Sequence, residues 1–94
     1  MALVMIHDAP GQTETRNDQV MESLHRHGVT VPAAGQILHL AGPYNGGWRT
    51  VDVWESQEAA DRFFRDHLSV AFAETGGIPE GPEPQVFPVH DLYT

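Results

Sequence analysis

The chain of 94 residues contains no cysteine and no lysine. Without cysteine, neither a disulfide framework nor a thiolate metal site can form. This suits a reducing cytosol, and we expect a cytoplasmic protein, although a lack of cysteine is also compatible with export. Without lysine, covalent chemistry through a lysine Schiff base is excluded. Metal chelation by the His25-Arg26-His27 run is also excluded, because side chains two residues apart on a helix point in different directions.

Positive charge is scarce as well. Five arginines stand against 13 acidic residues, for a formal net charge of −8, and they are scattered along the chain. Nucleic-acid surfaces and anionic membranes need clustered cations, so we expect neither as a partner. The apolar run at residues 2–7 is too short for a signal peptide or a membrane span.

The pattern of apolar residues and turn formers predicts strand, helix, strand, strand, helix, strand in a single domain over 1–94. We expect strands at 2–7, 36–41, 48–56 and 85–90, with a hairpin turn at 42–47. Thr13 and Ser56 are the expected N-caps of helices that end near His27 and Gly76. This order predicts a ferredoxin-like α+β sandwich, with two helices on one face of a four-stranded antiparallel sheet.

The second and third predicted strands are apolar on both faces. Two helices can cover only one face, so we predict that the other packs against the same face of a second subunit in a homodimer. A monomer with one partly solvated sheet face is the alternative. The aliphatic residues concerned are Leu38, Leu40, Val51 and Val53.

The third strand has an unusual face. Its alternation places Trp48, Thr50, Asp52 and Trp54 on one side, which predicts the wall of a ligand pocket. The two indoles could stack on a flat aromatic substrate. Alternatively, Trp54 is simply part of the core between sheet and helix.

A hairpin turn over 44–47 would place His39 opposite Asp52, and Ile37 opposite Trp54. A carboxylate beside an imidazole fixes its tautomer and makes it a usable general base or acid. The alternative is a structural cross-strand ion pair.

Five further residues are candidates for the same pocket. His67 lies on the apolar stripe of the second helix as a possible acid or base, beside Phe63 and Phe64. Asn17 lies on the stripe of the first helix and could bind a ligand or cap a loop. Asp8 alternates with Val4 and Ile6, whereas the alternation of His7 directs it toward the dimer.

The order of elements and the segment V-D-V-W-E-S-Q-E-A-A-D-R-F-F at 51–64 resemble the dimeric α+β barrel superfamily, and within it antibiotic biosynthesis monooxygenase-like proteins. The resemblance implies that two sheets form a barrel across the dimer. It also implies a pocket between the sheet and the helices of each subunit.

The functional residues of the family can be compared with this chain position by position. The family's cofactor-free oxygenases of aromatic polyketides have a Trp where this chain has Trp54, but their Asn and Tyr fall at Thr50 and Ala60. The Trp and His of haem-degrading relatives fall at about Phe63 and Ala73, and the Tyr and His of polyketide-cyclising relatives near Phe63 and Ser69. We therefore expect no haem or other cofactor. We also expect the polar residues of the site to differ from those of these relatives.

These observations predict a small cofactor-independent enzyme, monooxygenase-like or cyclase-like, that acts on a hydrophobic aromatic or polyketide-like molecule. The alternative is a non-catalytic small-molecule-binding or accessory dimer. We predict no metal site. The expected catalytic residues are His39, Asp52 and His67, and the expected substrate-binding residues are Trp48, Thr50, Trp54, Phe63, Phe64, Asn17 and Asp8.

Overall fold

The secondary-structure elements follow the predicted order, in a computed structural model that describes all of residues 1–94. The strands are β1 (Leu3–Pro10), β2 (Gln36–Tyr44), β3 (Gly47–Trp54) and β4 (Gln85–Pro88). The helices are α1 (Glu14–Arg26), α2 (Gln57–Phe63) and α3 (Ser69–Glu74), and a π-helical turn (Phe64–Leu68) joins the last two. All strand pairs are antiparallel in the order β2-β3-β1-β4, so the ferredoxin-like α+β topology is confirmed.

Local sequence signals set the ends of these elements. The Thr13 hydroxyl accepts from the backbone N–H of Arg16 at 3.2 Å, and the Ser56 hydroxyl accepts from that of Ala59 at 3.1 Å, so both predicted N-caps are confirmed. Asn45 and Gly46 have φ angles of 50° and 77° and form the two-residue hairpin turn between β2 and β3. Pairing with β3 extends β1 and β2 beyond their predicted ends at residues 7 and 41.

The core lies between the helices and one face of the sheet. Only ten of the 94 residues are buried, so a single subunit has a small core. The other face of the sheet carries aliphatic side chains with no covering layer, and Leu40 there is 52 % exposed. None of the helices has the length and apolar character needed to cross a membrane. The buried cluster consists of Val20, Leu24, Trp54, Ala60, Phe63 and Ala71.

A β-bulge in β2 overturns one detail of the predicted register. His39, Leu40 and their neighbours pair with β3 as predicted, but Gln36 and not Ile37 lies opposite Trp54. The register shifts between Gln36 and Leu38, so Ile37 is the extra residue of the bulge, and its side chain is exposed. The bulge therefore returns Gln36 to the helix-facing side of the sheet.

A π-helical turn divides the predicted second helix. The backbone N–H of Ser69 bonds to the carbonyl of Phe64, which adds one residue to that turn. The extra residue shifts the apolar stripe, so Leu68 and Ala71 pack inward while the side chain of His67 is exposed.

Candidate functional site

A cleft of about 640 Å³ lies between the helix-facing side of the sheet and the helices. β1 contributes Met5, His7 and Ala9, β3 contributes its Trp-rich face, and the loop after α3 closes one side. Its volume falls in the range that holds small organic ligands. Eight of the ten predicted site residues line it, namely Asn17, His39, Trp48, Thr50, Asp52, Trp54, Phe63 and Phe64.

The cleft contains a histidine–aspartate pair. His39 lies directly opposite Asp52 across β2 and β3, and its Nδ1 is 2.6 Å from Asp52 Oδ1. Both side chains are mostly shielded, with 22 % and 17 % exposed. In a neutral imidazole whose Nδ1–H donates to the Asp52 carboxylate, the lone pair is on Nε2, which has no hydrogen-bond partner in the protein. The pair can therefore accept a proton from a molecule in the cleft.

Gln36 holds this pair in place, and the sequence analysis did not identify it. Its Nε2 donates to Asp52 Oδ1 at 2.8 Å, and its Oε1 accepts from the backbone N–H of Ala33 at 2.9 Å. Gln36 is buried and lines the cleft. In a regular strand, residues 36 and 39 would point to opposite faces; the bulge brings both to the same one. A bulge has no reliable sequence signal, so this contact could not be predicted.

The two tryptophans have different surroundings. Trp54 is only 3 % exposed, and its ring packs against that of Phe63 with centroids 5.4 Å apart, so it belongs mainly to the core. Trp48 is partly exposed, and its Nε1–H donates to Asn17 Oδ1 at 3.1 Å. This bond joins β3 to α1 and fixes the indole at one end of the cleft.

Asp8 is not part of the cleft, and the prediction that placed it there is wrong. It lies on the opposite face of the sheet, where Arg49 Nε and Nη2 donate to its two carboxylate oxygens at 2.6 and 2.8 Å. Hydrogen bonding by Arg49 lowers the pKa of Asp8, and the carboxylate in turn raises the pKa of Arg49. The guanidinium also lies 3.8 Å from the centre of the Tyr44 ring.

His7 and His67 also differ from expectation. His7 lines the cleft, opposite Thr50, and does not face outward as predicted. Both faces of β1 are apolar, so alternation alone could not assign the inner one. His67, a predicted catalytic residue, is exposed and does not line the cleft, because the π-helical turn rotates it outward; its ring contacts only the edge of the core, 5.9 Å from that of Phe63.

Other side chains add polarity at the cleft's edges. Arg16 and Glu83 also line the cleft. No group of three His, Asp or Glu side chains is arranged to hold a metal ion.

Outside the cleft, Glu74 accepts from the buried Ser23 hydroxyl at 2.6 Å and contacts His27 at 2.7 Å. The hydrogen bond from Ser23 is the main cause of the lowered pKa of Glu74.

No protein-family model matches the chain, and no curated protein matches it in sequence.

Proposed function

We propose that the cleft is the active site of a small cofactor-independent enzyme that acts on a hydrophobic aromatic or polyketide-like molecule. The observation that carries this proposal is the 2.6 Å contact between His39 Nδ1 and Asp52 Oδ1, in a pair that lines a cleft of about 640 Å³. A base supported by a carboxylate in a concave, mainly apolar site is the arrangement that general-base catalysis needs.

The chemistry begins with proton transfer to His39. Nε2 accepts a proton from an acidic O–H or C–H of the substrate, such as a phenol or a β-dicarbonyl, while Nδ1–H remains bonded to Asp52. The carboxylate stabilises the imidazolium that forms, and Gln36 keeps the carboxylate in position. The resulting substrate anion can then react with dioxygen or cyclise, which corresponds to the monooxygenase-like and cyclase-like activities.

The apolar lining supports an aromatic substrate. Trp48 and Phe64 both line the cleft and remain partly or largely exposed, so their rings are available to a bound molecule. Trp54 and Phe63 lie in the core and form part of the apolar surface of the cleft. Thr50 and Asn17 add polar groups, although Asn17 Oδ1 already accepts from Trp48.

We further propose that the protein is a homodimer joined through the uncovered face of the sheet. A core of ten buried residues is small, and burial of this aliphatic face in a second copy would enlarge it. The face includes Val4, Ile6, Leu38, Leu40, Val51 and Phe87.

A non-catalytic binding module is the second candidate, and one observation favours it. Asp52 Oδ1 receives hydrogen bonds from both Gln36 and His39, so the network also satisfies its own buried polar groups. Under this reading the cleft holds a hydrophobic metabolite and the pair is structural.

The experiment that separates the two uses 5-nitrobenzisoxazole, an aromatic probe whose ring opens to a coloured phenolate when a base removes its C–H proton. The enzyme proposal expects turnover by the wild type and a loss of about a hundredfold or more in His39→Ala. His25→Ala is the matched control, because His25 is exposed and lies outside the cleft. Equal rates in wild type and His39→Ala would refute His39 as the base.

A further inference from the structure

Arg16 differs from every other arginine of the chain. The other four each contact a carboxylate within 4.0 Å, whereas no carboxylate lies within that distance of Arg16. An unpaired guanidinium is unexpected in a chain with 13 acidic residues and five arginines. The paired arginines are Arg26, Arg49, Arg62 and Arg65.

The unpaired arginine also lines the cleft. Its Nη2 donates to the backbone carbonyl of Gly77 at 2.6 Å, which fixes the side chain against the loop after α3. Gly76 packs close by, since a Cβ there would lie 3.4 Å from Arg16 Nη1. The guanidinium is therefore held by neutral backbone groups in the lining of the cleft.

One N–H of this guanidinium is unsatisfied. Arg16 Nε is buried and has no hydrogen-bond partner, and it is the only such buried side-chain atom in the protein. A buried donor without a partner is unfavourable, and an arginine presents planar N–H groups that suit carboxylate oxygens. Asp52 is already bonded to His39 and Gln36, and Glu83, the other acidic residue of the cleft, forms no ion pair, so the protein supplies no counter-ion to Arg16.

We propose that Arg16 binds an anionic group of the ligand, a carboxylate or a similar oxyanion, so that the molecule held in the cleft is a hydrophobic acid. This inference rests on the proposed function, because it names the substrate class of the same cleft. Arg16 neighbours Asn17, which bonds to Trp48. Trp48 and Asp52 lie four positions apart on β3, roughly 13 Å along the strand. An elongated acid would therefore reach the histidine–aspartate pair with its other end.

The test compares 2-naphthoic acid with methyl 2-naphthoate by isothermal titration calorimetry at neutral pH. These probes share the aromatic rings and differ in the negative charge. Wild-type protein is expected to bind the acid about tenfold or more tightly than the ester, the value of one charge-assisted hydrogen bond. In Arg16→Met this preference should fall to near unity, while the affinity for the ester stays the same.

Arg62→Met is the matched control, because it removes the same charge from an exposed arginine outside the cleft and should keep the preference for the acid. Salt dependence gives a second readout, because Arg16→Met and Arg62→Met have the same net charge and differ only in the contact with the cleft. Added salt should therefore weaken acid binding, relative to ester binding, more in Arg62→Met than in Arg16→Met.

The outcomes separate this inference from the proposed function. If neither probe binds, the proposal of a hydrophobic ligand is overturned, and this inference with it. Equal binding of acid and ester, or a preference that persists in Arg16→Met, overturns the role of Arg16 alone. The same salt dependence of acid binding in Arg16→Met and Arg62→Met has the same meaning.

Discussion

His39 and Asp52 face each other directly across β2 and β3, and their side chains meet at 2.6 Å on the cleft side of the sheet. If this contact fixes the imidazole tautomer, Asp52→Asn should lower turnover of 5-nitrobenzisoxazole by at least about tenfold, because an amide can donate to Nδ1 and leave the proton on Nε2. Rates measured across pH would check this. A variant with wild-type rates would mean that Asp52 does not orient the base.

Gln36 supports the histidine–aspartate pair through hydrogen bonds, and its replacement should lower the free energy of unfolding. Gln36→Ala leaves the backbone N–H of Ala33 without its partner and removes one donor to Asp52, so we expect a loss of about 1–3 kcal/mol. Gln57→Ala is the matched control, because Gln57 is exposed and bonds only to Asp61 on the surface; its effect should stay within about 0.5 kcal/mol. Urea unfolding measures the stability of both variants. Equal losses of stability in Gln36→Ala and Gln57→Ala would contradict the role of the buried Gln36 hydrogen bonds.

The sequence carried enough information for the topology and for most of the cleft. Strict alternation in β3 and the Asn45-Gly46 turn determine the register, and with it the meeting of His39 and Asp52. Two irregularities escaped prediction because neither has a distinctive residue pattern. The bulge at Ile37 brought Gln36 into the site, and the π-helical turn removed His67 from it.

Strand β1 shows a second reason why the sequence could not predict the side of every residue. Its two faces are both apolar up to Ile6, so the period of two is clear but does not say which face meets the helices. That choice depends on its pairing with β3, which is a long-range contact. His7 and Asp8 were consequently assigned to the wrong sides. Arg16 escaped notice for a similar reason, since an unpaired charge is recognised only when all of its neighbours are known.

Phe63 and Phe64 are adjacent in sequence but differ in burial, and substitutions should separate their roles. Phe63→Ala removes a ring packed on Trp54 and should cost about 3–5 kcal/mol. Phe64 is 42 % exposed and lines the cleft, so Phe64→Ala should cost far less stability while weakening 2-naphthoic acid binding. Urea unfolding and calorimetry together make this comparison. Similar losses of stability in the two variants would contradict it.

The proposed dimer predicts that a charge on the uncovered sheet face will separate the subunits. Leu40→Asp places a carboxylate on that face, and burial of an unpaired charge in the interface is strongly unfavourable. Light scattering coupled to size exclusion should report a dimer for the wild type and a monomer for this variant. Val70→Asp is the control, because Val70 is similarly exposed but lies on α3, away from the sheet. A monomeric wild type would refute the dimer.

The stability of the fold should fall in acid partly through Glu74, which joins α3 to α1. Hydrogen bonds from Ser23 and His27 lower the pKa of this carboxyl below its ordinary value of 4.5, so the folded protein favours the ionised form more than the unfolded chain does. The stabilisation is therefore complete above pH 4.5 and is lost as the pH falls through the lower, folded-state pKa.

Glu74→Gln removes this titration while keeping most of the side chain's shape. The variant should be less stable than the wild type at pH 6, and the difference should shrink as the pH falls below about 4. Thermal unfolding followed by circular dichroism from neutral to acidic pH measures the two curves. Glu80→Gln is the control, since Glu80 is exposed and makes no hydrogen bond or ion pair, and its curve should follow that of the wild type. A gap between Glu74→Gln and wild type that stayed constant with pH would show that the Ser23 and His27 contacts do not depend on the ionised carboxylate.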